Sequence, residues 1–300
     1  MFWADRLMNN NRLTNRYAFI ACVVSLLILL TGCHGTRTAS LSISGSDYPQ
    51  SHGFRFIVAA DPQLMRGKKE ALDIAIESIN DFKPDFVIMC GDLIETPANL
   101  HQIKSYKDAV STLSDEIVLV NVSGNHDLGQ PVKMDNIEAY KMNFGDLWFH
   151  FEYGNSLFIV LSSDILKDPD APLHKQQTAW LVSLLNNPHS QTYDNIFVFM
   201  HHPLYINSPN EPDGYSNMPI QSRQTLLNLF QMHRVKAVFS GHLHDNRINK
   251  YQGMDLITTN SITVPMGKTP AGFRVVEVNP DGYSDTYYTI EQLAKKEVNR

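Results

Sequence analysis

The stretch that decides the fold is FRFIVAADPQ at residues 54–63, answered by DFVIMCGD at 85–92 and IVLVNVSGNHD at 117–127. Each is an apolar run that ends in an acid or an amide. Continuous apolar runs of this length, bounded by Gly, Asp or Pro, read as strands buried on both faces. Between them, residues 68–82 place Leu72, Ile76 and Ile79 at helical spacing, and residues 100–113 read as a second helix. Strands alternating with helices predict a parallel sheet covered by helices.

Further along the chain the rhythm becomes mixed. Residues 147–153 and 156–162 predict paired strands around Gly154-Asn155. Residues 176–186 predict a helix carrying Trp180, Leu181, Leu184 and Leu185. A strand at 196–200, a helix at 222–233 and a strand at 237–240 follow, then short strands near 247–251, 255–259, 273–279 and 284–290. The expectation is an α/β fold of two packed sheets with outer helices, forming one domain over residues 53–300.

The N-terminal side reads as an address. Arg6, Arg12 and Arg16 stand against one acid, Asp5, and residues 17–30 are apolar. A basic segment, a short apolar run and small residues predict an export signal over residues 1–32. The run is shorter than the roughly 20 residues that span a bilayer. Leu30-Thr31-Gly32-Cys33 resembles the lipobox of bacterial lipoproteins, which implies acylation of Cys33 and tethering to a membrane. Residues 33–52, rich in Ser, Gly and Thr, then form a flexible linker. The implied location is the bacterial cell envelope, exported and lipid-anchored, with the outer membrane favoured over the inner.

Composition narrows the function. The 300 residues are 43% hydrophobic and 19% charged, with net charge -6, which excludes wholesale disorder and collagen-like or coiled-coil chains. An acidic balance argues against binding a nucleic-acid backbone. Three Cys are too few for a disulfide framework: Cys22 lies in the signal, Cys33 is the anchor, and Cys90 is expected to be buried at a strand end.

Five predicted strands end in residues able to hold a metal: Asp61-Pro62-Gln63, Gly91-Asp92, Gly124-Asn125-His126-Asp127, His201-His202-Pro203 and Gly241-His242-Leu243-His244. Any one of these, taken alone, reads as a turn or a cap. Together they point elsewhere, because ligands of open α/β sheets gather outside the carboxyl ends of strands. Carboxylate, amide oxygen and imidazole suit first-row divalent ions. Two such ions roughly 3.5–4 Å apart can clamp the oxygens of an in-line displacement, which suits phosphate-ester hydrolysis. Neither a Gly-rich P-loop nor a Gly-x-Ser-x-Gly elbow is present.

The ordered set Asp-x-x, Gly-Asp, Gly-Asn-His-Asp, His-His-Pro, Gly-His-x-His resembles the calcineurin-like metallophosphoesterases, over roughly residues 54–290. The resemblance implies a four-layer αββα sandwich with two mixed sheets and a dinuclear metal site at strand C-terminal ends. It implies that Asp61, Asp92 and His244 hold one metal and that Asp92 bridges. Asn125, His201 and His242 would hold the other. His126 would meet the phosphate or protonate the leaving group, and Asp127 would orient His126. The usual first motif is Asp-x-His, but here it is Asp-Pro-Gln. Either Gln63 ligates through its amide oxygen or that site is looser, which favours Mn²⁺, Mg²⁺ or Fe²⁺ over Zn²⁺. Asp-Pro-Gln, Phe239-Ser240-Gly241-His242, Tyr251-Gln252, Gly272-Phe273-Arg274-Val275-Val276 and Tyr287-Tyr288 resemble an animal branch of the family described as serine/threonine protein phosphatases. Leu-Ile-Glu after Gly91-Asp92 departs from calcineurin proper. Glu95 stands where purple acid phosphatases carry a metal-binding Tyr.

Substrate contacts are expected from the loop 203–219, which holds four Pro: Tyr205, Asn210 and Tyr215, with Arg223 beyond it read either as a partner for phosphate or as one half of a helix-start salt bridge. The acidic stretch 164–172 reads as a surface loop, with rimming the site as the alternative. The reading is hydrolysis of phosphomonoesters with two divalent ions, drawn from Mn, Fe, Mg or Zn. A phosphodiesterase or pyrophosphatase acting on envelope or nucleotide substrates stands beside it, as does a metal-binding lipoprotein without catalysis.

Overall fold

The computed structural model describes residues 53–63 and 69–298, so the segments expected to be an export signal, an acylated Cys33 and a linker lie outside the described residues. Strand β1 (Phe54–Ala59), helix α1 (Lys69–Phe82), β2 (Phe86–Cys90), α2 (Leu100–Val110) and β3 (Val118–Val122) form the expected alternation. β1 pairs parallel with β2, and β2 with β3. A one-turn helix α3 (Asn125–Leu128) and α4 (Met134–Phe144) lead to β4 (Phe149–Tyr153) and β5 (Ser156–Val160). Then come α5 (Ser163–Lys167), α6 (His174–Asn186), β6 (Asn195–Phe199), α7 (Ile220–Met232), β7 (Ala237–Ser240), β8 (Arg247–Tyr251) and β9 (Met254–Thr258). β10 (Gly272–Asn279), β11 (Gly282–Thr289) and α8 (Ile290–Val298) complete the chain.

The strands make two mixed sheets, ordered β11-β10-β1-β2-β3 and β4-β5-β6-β7-β9-β8. Strand alternation sorts their side chains into layers. Phe56 and Val58 of β1, Phe86 and Ile88 of β2, Phe158 and Val160 of β5, and Phe197 and Phe199 of β6 share one buried cluster between the sheets. The alternate residues of β1 and β2, Ile57, Val87 and Met89, pack with Leu72, Ile76 and Ile79 of α1 and Ile103 of α2. Leu157, Ile159, Ile196 and Val198 pack instead with Leu181 of α6 and Leu227 and Phe230 of α7. Helix, sheet, sheet, helix is the four-layer sandwich.

The middle layer is largely aromatic. Phe56 stacks on Phe86 with centroids 5.2 Å apart, Phe151 on Phe158 at 4.9 Å, and Phe199 on Phe239 at 5.3 Å. Burying each such side chain contributes about 1.5–3 kcal/mol. This layer fixes one sheet against the other and so fixes the strand ends that carry the polar motifs. Among the described residues, no helix is long and apolar enough to cross a membrane.

Candidate active site

The parallel strands β1, β2, β6 and β7 deliver Asp61, Asp92, His201, His242 and His244 just past their carboxyl ends, and the turn after β3 delivers Asn125 and His126. The local backbone is bent to do so. Asp61, Asp92, His242 and His244 have φ of 50°, 52°, 70° and 49°, in the left-handed region that costs side-chain-bearing residues about 1–3 kcal/mol each. The adjacent glycines make room. A Cβ on Gly91, itself at φ +83°, would lie 2.4 Å from His201 Nδ1, and one on Gly124 would lie 2.3 Å from Asp92 Oδ1.

The polar atoms converge on His201. Its Nε2 lies 3.1 Å from Asp92 Oδ2, 3.2 Å from Asn125 Oδ1 and 3.2 Å from His242 Nδ1. Asp61 Oδ1 stands 3.9 Å from the same nitrogen and 3.5 Å from His244 Nε2. Asp61 also accepts from the main-chain N of His242, at 3.1 and 3.0 Å. Asp61, Asp92, Asn125, His201, His242 and His244 are all buried.

The second ring nitrogens decide what this set can bind. His201 Nδ1 lies 2.8 Å from Cys90 O and His244 Nδ1 2.5 Å from Val264 O. A carbonyl only accepts, so both Nδ1 atoms carry the proton and both Nε2 lone pairs face carboxylates. Acceptors meeting acceptors repel unless a proton or a cation sits among them. Asp92, His201 and His242 can each offer a ligand atom within 4.8 Å of the others. The donor set therefore fits divalent metal ions.

The titration behaviour agrees. Burial pushes the His201 imidazolium down, but the Asp92 carboxylate beside it more than reverses this and raises it to about 10. Burial pushes Asp92 up, and His201 overcomes that and holds it below the ordinary carboxylate range. Asp61 is raised to about 6 by burial, with His201 and His244 opposing. Burial and then the charge on His201 lower His242 to about 3. A proton on His201 thus does part of the neutralising work of a cation.

Gln63 is buried beside this group. Its main-chain N donates to Asp92 O at 3.1 Å. With its amide nitrogen toward Asp92, its side chain donates to Asp92 Oδ2 and O, both at 3.2 Å. His126 donates its main-chain N to Asp92 Oδ1 at 2.9 Å, and its ring Nδ1 lies 2.9 Å from Glu95 O. That leaves Nε2 for a substrate, on a ring that is partly exposed.

Some expected residues serve other ends. Asp127 does not touch His126: its Oδ1 accepts from Ile94 N at 3.1 Å and its Oδ2 from Gly124 N at 2.8 Å. Residues one apart on a helix do not face each other, so Asp127 pins the Asp92 and Asn125 turns together. The neighbour of His126 is Glu95, with Oε1 3.7 Å from Nδ1. Its position three residues after Asp92 was the only sequence signal. Arg223 is fully buried and donates to Met218 O, Pro209 O and Glu211 O, so its guanidinium binds the 203–219 loop and not phosphate. Tyr205 is buried with its hydroxyl on Lys250 O, and Asn210 bonds through its main chain to Ser208 Oγ. Of the expected substrate contacts, only Tyr215 meets the cluster, accepting from Asn125 Nδ2 at 3.0 Å. The 164–172 stretch also differs: Asp164 is buried on α5, 3.8 Å from His202 Nδ1.

A carboxylate–imidazole centre at the strand ends of a four-layer sandwich defines a metal-dependent hydrolase. The chain belongs to the calcineurin-like phosphoesterase family, which it matches over residues 54–246, and it is a metallophosphoesterase. The serine/threonine-protein phosphatase CPPED1 of Rattus norvegicus is 34% identical over 285 residues, covering 87% of this chain and 91% of that protein. CPPED1 of Homo sapiens is 33% identical over 269 residues, covering 81% and 86%. GAP50, the anchor in the inner membrane complex of Plasmodium, shares the fold, with a TM-score of 0.64 and 19% identity over 80% of this chain and 85% of that one.

Proposed function

We propose that this chain hydrolyses phosphate monoesters, phosphoserine and phosphothreonine in proteins among them, at a centre of two divalent ions. Asp61, Asp92 and His244 would hold one ion; Asp92, Asn125, His201 and His242 would hold the other, with Asp92 shared. The observation that carries this reading is the approach of Asp92 Oδ2, Asn125 Oδ1 and His242 Nδ1 to within 3.1–3.2 Å of His201 Nε2. Likeness to the CPPED1 phosphatases over most of both chains supports the monoester and protein side of it. Bound divalent ions supply the charge that polarises a phosphoryl group and lowers the pKa of water.

The chain's own groups do the rest. Asp92 presents one oxygen to the cluster and ties the other to His126 N, which fixes the general acid relative to the centre. His126, held at Nδ1 by Glu95 O, would as an imidazolium give its Nε2 proton to the leaving-group oxygen. Glu95 Oε1 adds a negative charge 3.7 Å from that ring. With Gln63 turning its amide nitrogen to Asp92, the first motif supplies no imidazole, and the set, poorer in nitrogen, suits Mn²⁺, Mg²⁺ or Fe²⁺ better than Zn²⁺. We also propose that Cys33 carries a lipid that tethers the enzyme in the cell envelope, a reading supported by the Leu30–Cys33 pattern alone. Cys33→Ser should then leave the membrane fraction, and firm retention would refute the tether.

The functional test is a substrate panel on the full chain with Mn²⁺. Turnover of p-nitrophenyl phosphate and phosphoserine peptides should exceed that of bis-p-nitrophenyl phosphate. Diester turnover above monoester turnover would overturn the monoester reading.

A further inference from the structure

Tyr215 stands on the 203–219 loop, 58% exposed, yet its polar end touches the buried centre. Its hydroxyl accepts from Asn125 Nδ2 at 3.0 Å, and its ring lies 4.9 Å from that of His242, tilted by 45°. Lys167, the last residue of α5, donates to Tyr215 O at 2.5 Å and places Nζ 5.7 Å over the ring. The loop that presents Tyr215 is braced from within. Glu211 accepts from the main-chain N of Ile206, Asn207 and Ser208, and from Asn217 Nδ2. Arg223 closes its far side.

The two ends of an asparagine amide have nearly the same shape but opposite polarity. Toward a cation, only the oxygen end is tolerated. Asn125 Oδ1 faces His201 Nε2 at 3.2 Å, so its amide hydrogens need an acceptor on the other side. Tyr215 is that acceptor. We propose that Tyr215 is a positioning residue whose hydroxyl fixes the Asn125 amide with Oδ1 toward the metal position shared with His201 and His242, and that Lys167 holds the tyrosine in place. This rests on the two-metal reading above. Outer partners of metal ligands typically set affinity by about 10–100-fold.

The test is calorimetric titration of Mn²⁺ into the metal-stripped full chain. Wild type should show two binding events, and Tyr215→Phe should weaken one by about 10–100-fold and leave the other unchanged. Because the ring is exposed and stays in place, the melting curve in chelator should not move. Asn125→Ala should weaken the same event, and the double variant should bind no worse than Asn125→Ala, since both changes act through one ligand. Lys167→Met should act in the same direction but less. Tyr215→Phe titrating like wild type, while Asn125→Ala is weakened, overturns the inference and leaves the two-metal reading standing. Asn125→Ala binding two Mn²⁺ like wild type overturns both.

Discussion

Replacing Asp164 by Asn removes a buried charge at almost no change in shape, and the outcome depends on pH in a way the structure specifies. The Asp164 side chain is 2% exposed, and neither carboxylate oxygen has a hydrogen-bond partner among the described residues. Its closest imidazole, His202, is engaged with Ser163 Oγ at 3.0 Å and is itself pushed well down by burial and then by His242. Burial first, with Asp92 adding and His201 opposing, raises Asp164 from 3.8 to about 7. The sign follows. Above pH 7 the carboxylate is ionised folded and unfolded, and the folded state bears the full cost. Between 7 and 3.8 the folded form takes the proton and the cost falls; below 3.8 it vanishes. At about 1.4 kcal/mol per pK unit, the full cost is about 4 kcal/mol. From pH 5 to pH 8 it grows by about 3 kcal/mol. Urea denaturation of metal-free wild type and Asp164→Asn at pH 5, 6, 7 and 8 measures it. The variant should gain stability relative to wild type by about that amount across the series. A constant offset would show that Asp164 titrates alike in both states and refute the argument.

Three further outcomes follow from the site. His126→Ala should retain metal but lose about 10²–10⁴-fold in kcat, and Glu95→Gln should lose less; full activity in His126→Ala would remove it as general acid. Gly124→Ala should lose Mn²⁺ affinity by calorimetry, because its Cβ would meet Asp92 Oδ1 at 2.3 Å; unchanged binding would show that the turn can yield. Since His201 is raised to about 10, the ion must displace its proton at neutral pH. Mn²⁺ affinity should therefore fall about tenfold for each unit the pH drops from 8 to 6, with about one proton released in paired-buffer calorimetry. Binding without proton release would contradict it.

What was legible in the sequence was whatever local periodicity and glycine punctuation could carry. The strands around residues 54–127 stand out because both faces are apolar, and the Gly-Asp and Gly-Asn steps mark turns where a Cβ does not fit. Helix α4 carries little periodic signal because it buries only Ile137 and Tyr140, and α5 carries little because it is five residues long. Strand periodicity accounts for the chain as far as residue 290, and the helix α8 that follows, Ile290–Val298, has no signal of its own there. Side-chain direction was harder still. Arg223 looks like a phosphate partner until its guanidinium is seen to turn inward to loop carbonyls. Asp127 adjoins His126 in sequence but points elsewhere on α3. Glu95 reaches His126 only through the packing of the β2 and β3 turns, which no local pattern encodes.

In the proposed function a metal centre built around Asp92 performs the hydrolysis. Its most direct test is steady-state turnover of p-nitrophenyl phosphate by the metal-stripped full chain as Mn²⁺ is added, wild type against Asp92→Asn. Wild type should be active only when the ion is supplied, and Asp92→Asn should lose roughly 10³-fold or more, matching several kcal/mol of lost transition-state stabilisation. Full turnover by the metal-free protein, or wild-type rates in Asp92→Asn, would contradict it.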